Sequence, residues 1–416
     1  MAMKKEHKYL SWGILVFGFV IVFFHRLAIG SVSDFLISDL KLDSVQIANL
    51  TAMTFYGYAL MQLPVGIMVD TIGVRKLCTA GMAITALGSI LFGLSDVIAL
   101  SYLARLMVGI GTATIIVSIM KLQATLFPAN MYSTLSGLTS LFGNFGAFFA
   151  TIPLTYLALN LGWRQTFIIL GILTGFLSIA IYVFVREGHD TYKREKINVK
   201  EAVKFVLTNK KVYPDFFIMV FFVGSLTAVL GLWGNGYMKN VYHITNEKAA
   251  YYLSFITYGF IVGAPIVGKL SDYLGGEIKK ILLFASGGYL TIWAYVLLIY
   301  KGQPPIGQWP VIFFIMGILI ICHILVFSNV KEVNPLKYTG IAISIVNIGE
   351  FVGSGLISLS MGYLIKRLSL TNMLAEEVYK TAMILVLVSA VLSFISVICM
   401  HGKKERLEDE TGRVTG

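Results

Sequence analysis

Twelve stretches of this chain are apolar enough and long enough to cross a bilayer, and placing them leaves the rest of the sequence little freedom. They cover 10–36, 47–69, 77–94, 98–124, 133–157 and 164–185, and then, past one polar stretch, 215–238, 250–270, 281–300, 310–329, 338–364 and 377–400. Each holds roughly 18–27 residues, and about 20 carry a helix across the hydrocarbon core. Lipid offers the backbone no hydrogen bonds, so segments of this length must be helical. With 57% of residues hydrophobic and 13% charged, no water-soluble domain could cover its apolar surface, and the solvent is lipid. The expected class is an all-α membrane protein with twelve transmembrane helices. The N-terminal cations Lys4, Lys5 and Lys8 followed by an apolar run imitate a signal peptide. That run lacks a small-residue cleavage site and contains Arg26, so it reads as a retained helix.

The two sets of six helices repeat one another. Gly66 to Lys76 reads G-I-M-V-D-T-I-G-V-R-K, and Gly268 to Lys280 reads G-K-L-S-D-Y-L-G-G-E-I-K-K, half the chain later. Tyr56-Gly57 and Pro64 precede the first, as Tyr258-Gly259 and Pro265 precede the second. Asn144-Phe145-Gly146 and Asn347-Ile348-Gly349 form another pair, followed by Phe148 and Phe351. Internal similarity at half-chain spacing is a statement about fold. The expected organisation is a six-helix bundle over 1–185, a linker over 186–214, a second bundle over 215–400 and a charged tail over 401–416. Within the linker, Val199 to Leu207 mixes apolar and charged residues as a short surface helix does. Asp43-Ser-Val-Gln46 forms a capping box ahead of the second helix, and Thr245 holds the matching place ahead of the eighth.

The net charge of +11 is topology rather than a nucleic-acid surface. With an even number of helices both termini share a side. Lys4, Lys5, Lys8, Arg75, Lys76, the basic residues of 186–211, Lys269, Lys279, Lys280, Lys331, Lys337 and those of the tail fall on that side, at more than twice the number of cations in the opposite loops. The positive-inside rule makes it cytoplasmic, in an inner or plasma membrane that the chain crosses many times. Cys78, Cys322 and Cys399 lie in apolar runs without metal-ligand spacing, and no nucleotide-binding loop is present. The expectation is no cofactor, no metal and no catalytic constellation.

These features resemble the major facilitator superfamily over essentially the whole chain. Its signature between helices 2 and 3, G-x-x-x-D-R/K-x-G-x-R/K-R/K, is matched by Gly66, Asp70, Gly73, Arg75 and Lys76, with Thr71 where a cation is usual. In the second copy Gly268, Asp272 and Gly275 match, and Lys279 and Lys280 fall two places late. Arg105, Gly109 and Gly111 fit the R-x-x-x-G-x-G of helix 4. Tyr58-x-x-x-Gln62-x-Pro64-x-Gly66 is similar to the branch that carries organic anions, sugar phosphates and sugar acids. His25-Arg26 stands where anion:cation symporters often have Asp-Arg. The Gly-Pro ending of the helix-5 antiporter signature is missing, since Pro153 follows Ile152. The resemblance implies a monomeric transporter that works by alternating access, with a conformational gate at Gly66, Asp70, Gly73, Arg75, Lys76 and Asp272.

Several side chains are candidates for the transport chemistry. Arg26 lies about 24 Å along the axis from Leu10 and about 15 Å from Leu36 at 1.5 Å per residue, too deep to reach the headgroups. It either holds an anionic substrate through its planar fork or makes a structural ion pair. Glu350 sits midway along helix 11. It is a coupling-proton site, or the partner of Arg26 or Lys121, because burial opposes its charge and a nearby cation favours it. His25 and His323 are further proton-site candidates, against packing roles, and His25 is turned about 100° from Arg26. Lys121 either snorkels to the inner headgroups or adds a second anion contact. Tyr58, Gln62, Asn347, Trp233 and Asn235 complete the candidate substrate contacts, with Gly231, Gly234 and Gly236 able to bend helix 7. Arg105 is read as structural, and Asp34 as a solvated group at the outer mouth.

The function that fits is secondary transport of a small organic anion, a carboxylate, sugar acid or organic phosphate, with protons. A drug or metabolite exporter would need an acid-lined cavity, whereas the intramembrane charges here are mostly basic. A non-transporting sensor on the same fold would be marked by an appended signalling domain. The topology yields a first prediction: tags at either terminus or within 186–211 should be reachable only from the cytoplasm, and periplasmic labelling of any of them refutes the twelve-helix arrangement.

Overall fold

The computed structural model describes residues 5–187, 199–273, 277–335 and 338–401; at 5, 70, 129–130, 132–134, 136, 268–269 and 271–273 it describes the backbone alone. Twelve helices long and apolar enough to span a membrane occur among these residues: α1 Glu6–Leu40, α2 Ser44–Val69, α3 Val74–Leu94, α4 Ile98–Leu126, α5 Gly137–Leu161, α6 Trp163–Phe184, α7 Lys210–Tyr242, α8 Asn246–Val267, α9 Ile278–Ile299, α10 Ile306–Glu332, α11 Thr339–Ser369 and α12 Ala375–Ile398. Large apolar side chains such as Phe176, Phe284 and Leu298 are exposed on the outside of the molecule, where a bilayer would cover them.

Local sequence chemistry sets the helix starts. The Asp43 carboxylate accepts from the N–H groups of Val45 (2.9 Å) and Gln46 (2.8 Å), and the Gln46 side-chain oxygen accepts from the Asp43 N–H at 2.9 Å. This is the expected capping box, and it satisfies donors that the first turn would otherwise leave open. At α8 the Thr245 hydroxyl accepts from the Lys248 N–H at 3.5 Å. The linker helix, Val199–Thr208, also forms. Its Ala202 and Val206 are buried, and Glu201 accepts a 3.0 Å hydrogen bond from the Tyr338 hydroxyl, which ties it to the start of α11. The rest of the expected linker, 188–198, and the tail over 402–416 lie outside the described residues.

Within each half, glycines let helix backbones touch at equivalent places. A Cβ at Gly57 of α2 would stand 2.6 Å from the Leu106 carbonyl of α4, and one at Gly259 of α8 would stand 2.2 Å from that of Phe314 in α10. In return, Gly109 of α4 meets the carbonyl of Thr54, and Gly317 of α10 that of Ile256, each at 2.2 Å from such a Cβ. The α1–α5 contact uses Gly146 against Val20, and the α7–α11 contact uses Gly349 against Phe216 and Gly353 against Val220. Thus the sequence repeat corresponds to a repeat of backbone contacts. Small residues are what such contacts need where lipid removes most of the hydrophobic drive for helix association.

Some helices depart from uniform geometry. The helix of α4 is divided between Thr112 and Thr114, and α10 tightens into a 3₁₀ turn at Ile321–His323. In α7 the spacing loosens into π turns at Met219–Val223 and Val229–Trp233. The expected bend near Gly231 therefore coincides with a π turn, a common cause of irregular helix direction.

Gly317→Val tests this packing, because its branched side chain meets the Ile256 carbonyl. A loss of about 1–3 kcal/mol or more is expected from overpacking, read as a lower melting temperature in detergent. Gly13→Ala, where nothing lies within 4 Å of the added carbon, should leave stability unchanged or raise it by roughly 0.5–1 kcal/mol.

Candidate functional site

Arg26 leaves the middle of α1 toward the opposite half of the molecule. Its Nη1 donates to the Glu350 carboxylate of α11 at 3.0 Å, and the two side chains are only 11% and 12% exposed. This ion pair joins one half to the other across 324 positions of sequence. Three aromatic rings surround the guanidinium, with centroids at 4.9 Å (Phe23), 5.2 Å (Tyr58) and 4.8 Å (Phe351). Their electron-rich faces favour a cation, typically by about 0.5–2 kcal/mol each. Tyr58 and Phe351 also pack ring against ring, 4.2 Å apart.

Other candidates gather on the same spot. One helical turn along α2, Gln62 is buried and accepts from the Asn347 side chain at 3.5 Å, while its own amide nitrogen has no protein partner. His323 lies close enough for the charges of Glu350 and Arg26 to act on it, and its Nδ1 stands 2.8 Å from the Ile320 carbonyl. Since a carbonyl only accepts, that nitrogen carries the proton. Arg26, Tyr58, Gln62, His323, Asn347 and Glu350 thus form one cluster, contributed by α1, α2, α10 and α11.

The remaining candidates are elsewhere. His25 is buried on the other side of α1, where Phe24 and Phe167 flank its ring and neither ring nitrogen has a protein partner. Arg105 is fully buried in the first half. Its Nη2 donates to the His25 carbonyl at 2.7 Å, and its guanidinium lies 5.6 Å from the Phe92 ring centre. Trp233 turns to α11 and donates to the Ser358 carbonyl at 3.0 Å. Asn235 is buried with both amide atoms lacking a protein partner. Lys121 donates to the Val69 carbonyl at 2.8 Å, so it meets the end of α2, where the helix dipole favours a cation.

Residues 15–358 match the family model of the Major Facilitator Superfamily. The chain belongs to that superfamily. It is 23% identical to the uncharacterized transporter YybO of Bacillus subtilis (strain 168), over 86% of this chain and 88% of that one. It is 20% identical to the probable sulfoacetate transporter SauU of Cupriavidus necator, over 88% and 89%. Among solved structures, a bacterial homolog of the human lysosomal transporter Spinster, in an inward-facing and unoccupied conformation, superposes with a TM-score of 0.72 at 16% identity, covering 98% and 99%.

The superfamily signature between α2 and α3 adopts a loop that Gly73 makes possible, with φ at +91°. Here the structure adds a residue the sequence did not point to. The Glu187 carboxylate, just beyond α6, accepts from the Arg75 N–H at 2.7 Å and occupies the space a Cβ on Gly73 would need. An acid there complements the positive end of α3. Separated by 112 positions, the two have no shared local pattern. Gly66 has nothing within 4 Å of the place a Cβ would occupy. The Arg75 guanidinium lies 5.6 Å from the Tyr182 ring centre, and Lys76 follows it in the first turn of α3. The side chains of Asp70 and Asp272, both expected at the gate, lie outside the described ones.

A second set of contacts closes the face opposite the termini. Asp43 uses one carboxylate oxygen to cap α2 and the other to bind Lys366 of α11 at 2.8 Å. Ser44 donates to the Gly362 carbonyl at 2.9 Å, and Asn246 of α8 to the Ser31 carbonyl at 2.9 Å. Asp34, expected to be solvated, is instead paired with Lys239 of α7. Nearby, the backbones of Gly30 and Gly231 come close enough that a Cβ on Gly30 would stand 2.8 Å from the Gly231 carbonyl. Among the described residues, the hydrogen bonds and ion pairs between the halves run from the Gln62–Asn347 level to this far face.

Partial burial of Asp43 opposes its charge, but the hydrogen bond from Lys366 and those from the Gln46 and Val45 N–H groups outweigh it and hold the carboxyl below its usual value. A lowered folded value means the contribution is complete above the ordinary carboxylate range, near about 4, and is lost as pH falls through the lowered value. Far-face closure should therefore not vary between roughly pH 6 and 8. Asp43→Asn keeps a good cap and removes the ion pair. Cysteines placed at the far face should become more accessible, with less than about 1 kcal/mol of stability lost; unchanged accessibility would show that the pair does not hold the face closed.

Proposed function

We propose that this chain is a secondary transporter that moves a small organic anion together with a proton by alternating access of its two halves. The observation that carries the reading is the Arg26–Glu350 pair, a partly buried, half-to-half contact at mid-depth. A mid-membrane arginine without an anion would cost at least about 2.5 kcal/mol, so some negative group must accompany it in each state. In the empty protein Glu350 serves. When a proton neutralises Glu350, the guanidinium keeps its charge and its fork, and the substrate anion takes the place of the carboxylate. The proton prepares the site for the anion. The similarity to a probable sulfoacetate transporter supports an anionic cargo.

With the termini face taken as cytoplasmic, the far-face contacts close the outer side and leave the site to communicate inward. Substrate and proton leave on that side, Arg26 and Glu350 pair again, and the neutral pair allows the empty halves to rock back. Opening outward requires the Asp43–Lys366 and Asp34–Lys239 pairs to part and the signature loop near Gly73 and Arg75 to close against the second half. Each ligand can shift this balance only by its difference in affinity for the two states.

Reconstituted protein provides the test. Arg26→Lys keeps the charge without the planar fork, and should weaken substrate binding roughly tenfold or more, about 1.4 kcal/mol, with the fold intact. Glu350→Gln should still exchange substrate between pools but lose uphill, pH-driven uptake. Wild-type binding in Arg26→Lys and Arg26→Ala would make Arg26 structural. Accumulation by Glu350→Gln would move the proton site to His323 or His25.

A further inference from the structure

We infer that the site is built for a substrate with a single anionic group and an uncharged polar body, taken with one proton, so that a transport cycle moves no net charge. The inference rests on the reading of Arg26 and Glu350 above and adds the charge of the cargo and of the cycle.

Few cations can touch a ligand. Among the described side chains, three cations stand out inside the helices. Arg105 gives its Nη2 to the His25 carbonyl on the opposite side of α1 and is fully buried inside the first half, where its Nε and Nη1 have no protein partner. Lys121 is bound to the end of α2 through the Val69 carbonyl. Arg26 alone lies in the cluster between the halves, and it offers one fork. One guanidinium fork matches one carboxylate or sulfonate group, each with a single charge, in two-pronged fashion. A second anionic group on the same molecule would face the Tyr58 and Phe351 rings, whose negative faces repel it.

The other polar groups at the site are neutral amides. Gln62 has a buried amide nitrogen without a protein partner, and Asn347 stands beside it. These neutral donors and acceptors suit hydroxyl or carbonyl oxygens. A buried polar atom left open selects for a ligand that fills it, because leaving it unpaired is costly.

Charge balance limits the cargo as well. The titratable or charged groups described around Glu350 are Arg26 of α1, Tyr58 of α2 and His323 of α10. From α7, Phe216, Met219 and Val220 pack at this level of α11, and the acid next to them, Asp215, accepts from the Asn329 side chain of α10 instead. His323 turns its Nδ1 to the Ile320 carbonyl rather than to Glu350, and its ring enters the charge balance as neutral. One proton on Glu350 therefore leaves one positive charge, on Arg26, and one anionic group restores neutrality. Empty and loaded sites are then both neutral, and each can reorient without moving charge through the low-dielectric centre. A dianion with one proton would leave the loaded site negative.

The test uses the purified full chain and probes matched in body but not in charge: D-gluconate with D-glucarate, and isethionate with sulfoacetate. A binder raises the melting temperature by mass action, and monoanions should do so at concentrations at least tenfold below their dianionic partners. The best monoanion, radiolabelled, is then followed into proteoliposomes with potassium and valinomycin to set the voltage. An acid-outside pH gradient should drive accumulation, and voltage of either sign at equal pH should drive none. Dianions binding as well as monoanions, or accumulation driven by voltage alone, overturns the inference while the anion reading stands. Stabilisation by none of the four anions overturns the inference, and if cationic compounds stabilise the chain instead, the anion reading falls with it.

Discussion

A permanently charged guanidinium placed halfway along a membrane helix is the constraint to which the rest of the site answers. Arg26 cannot lose its proton and cannot reach water along α1, so the structure must supply a counter-charge and polarizable surroundings. It does so from three directions, with Glu350 from α11, Tyr58 from α2, and Phe23 and Phe351 as aromatic walls. A buried ion pair is a poor device for stability, since desolvation offsets most of its attraction. In the proposed cycle its usefulness lies in its sensitivity: protonating one partner leaves the other exposed to whatever anion can replace it. Because the partners belong to different halves, the same event also changes how the halves hold one another.

The two kinds of contact in this chain are suited to different tasks. Inside each half, backbone meets backbone at glycines such as Gly109 and Gly317, and a contact that close cannot slide without clash. Each half is thereby held together as one body. Across the far face the halves meet through Asp43–Lys366, Asp34–Lys239, and hydrogen bonds to the Gly362 and Ser31 carbonyls. Water can replace every one of those polar partners when the face opens, so separation costs little. Exposed pairs of this sort contribute about 0–1 kcal/mol each, a suitable magnitude for a gate that must open repeatedly.

Much of the fold was legible in the sequence because hydropathy and internal repetition are properties of short windows. The twelve spans, the capping box at Asp43, the short linker helix and the repeated glycines all carry local patterns. The pairing of Arg26 with Glu350 was legible only as one of several options, because depth along a helix can be counted but rotation and partner cannot. His25 shows the limit from the other side. Its position beside Arg26 suggests shared chemistry, yet a 100° step sends it into the first half's core against Phe167. Lys121, open between headgroups and substrate, met the end of α2 at Val69, and Trp233 met α11 at Ser358. Glu187 and the Asp34–Lys239 pair were missed since each depends on helices distant in sequence coming together at one face.

The repeat also explains why the site is asymmetric. Duplication gives both halves the same helix contacts, so any chemistry confined to a repeated position would appear twice around the central axis. Here the cation comes from α1, while its counterpart helix α7 has Ala228, fully buried, at the matching place. The acid comes from α11, while α5 has Ala147, fully buried, at the matching place. One half therefore presents a fixed positive charge and the other a titratable negative one. Two copies of either would repel across the axis, with nothing to neutralise them when the cavity is empty. The division of Arg26 and Glu350 between the halves makes the site self-neutralising, and under the proposed cycle the proton, rather than the substrate, is the agent that first unbalances it.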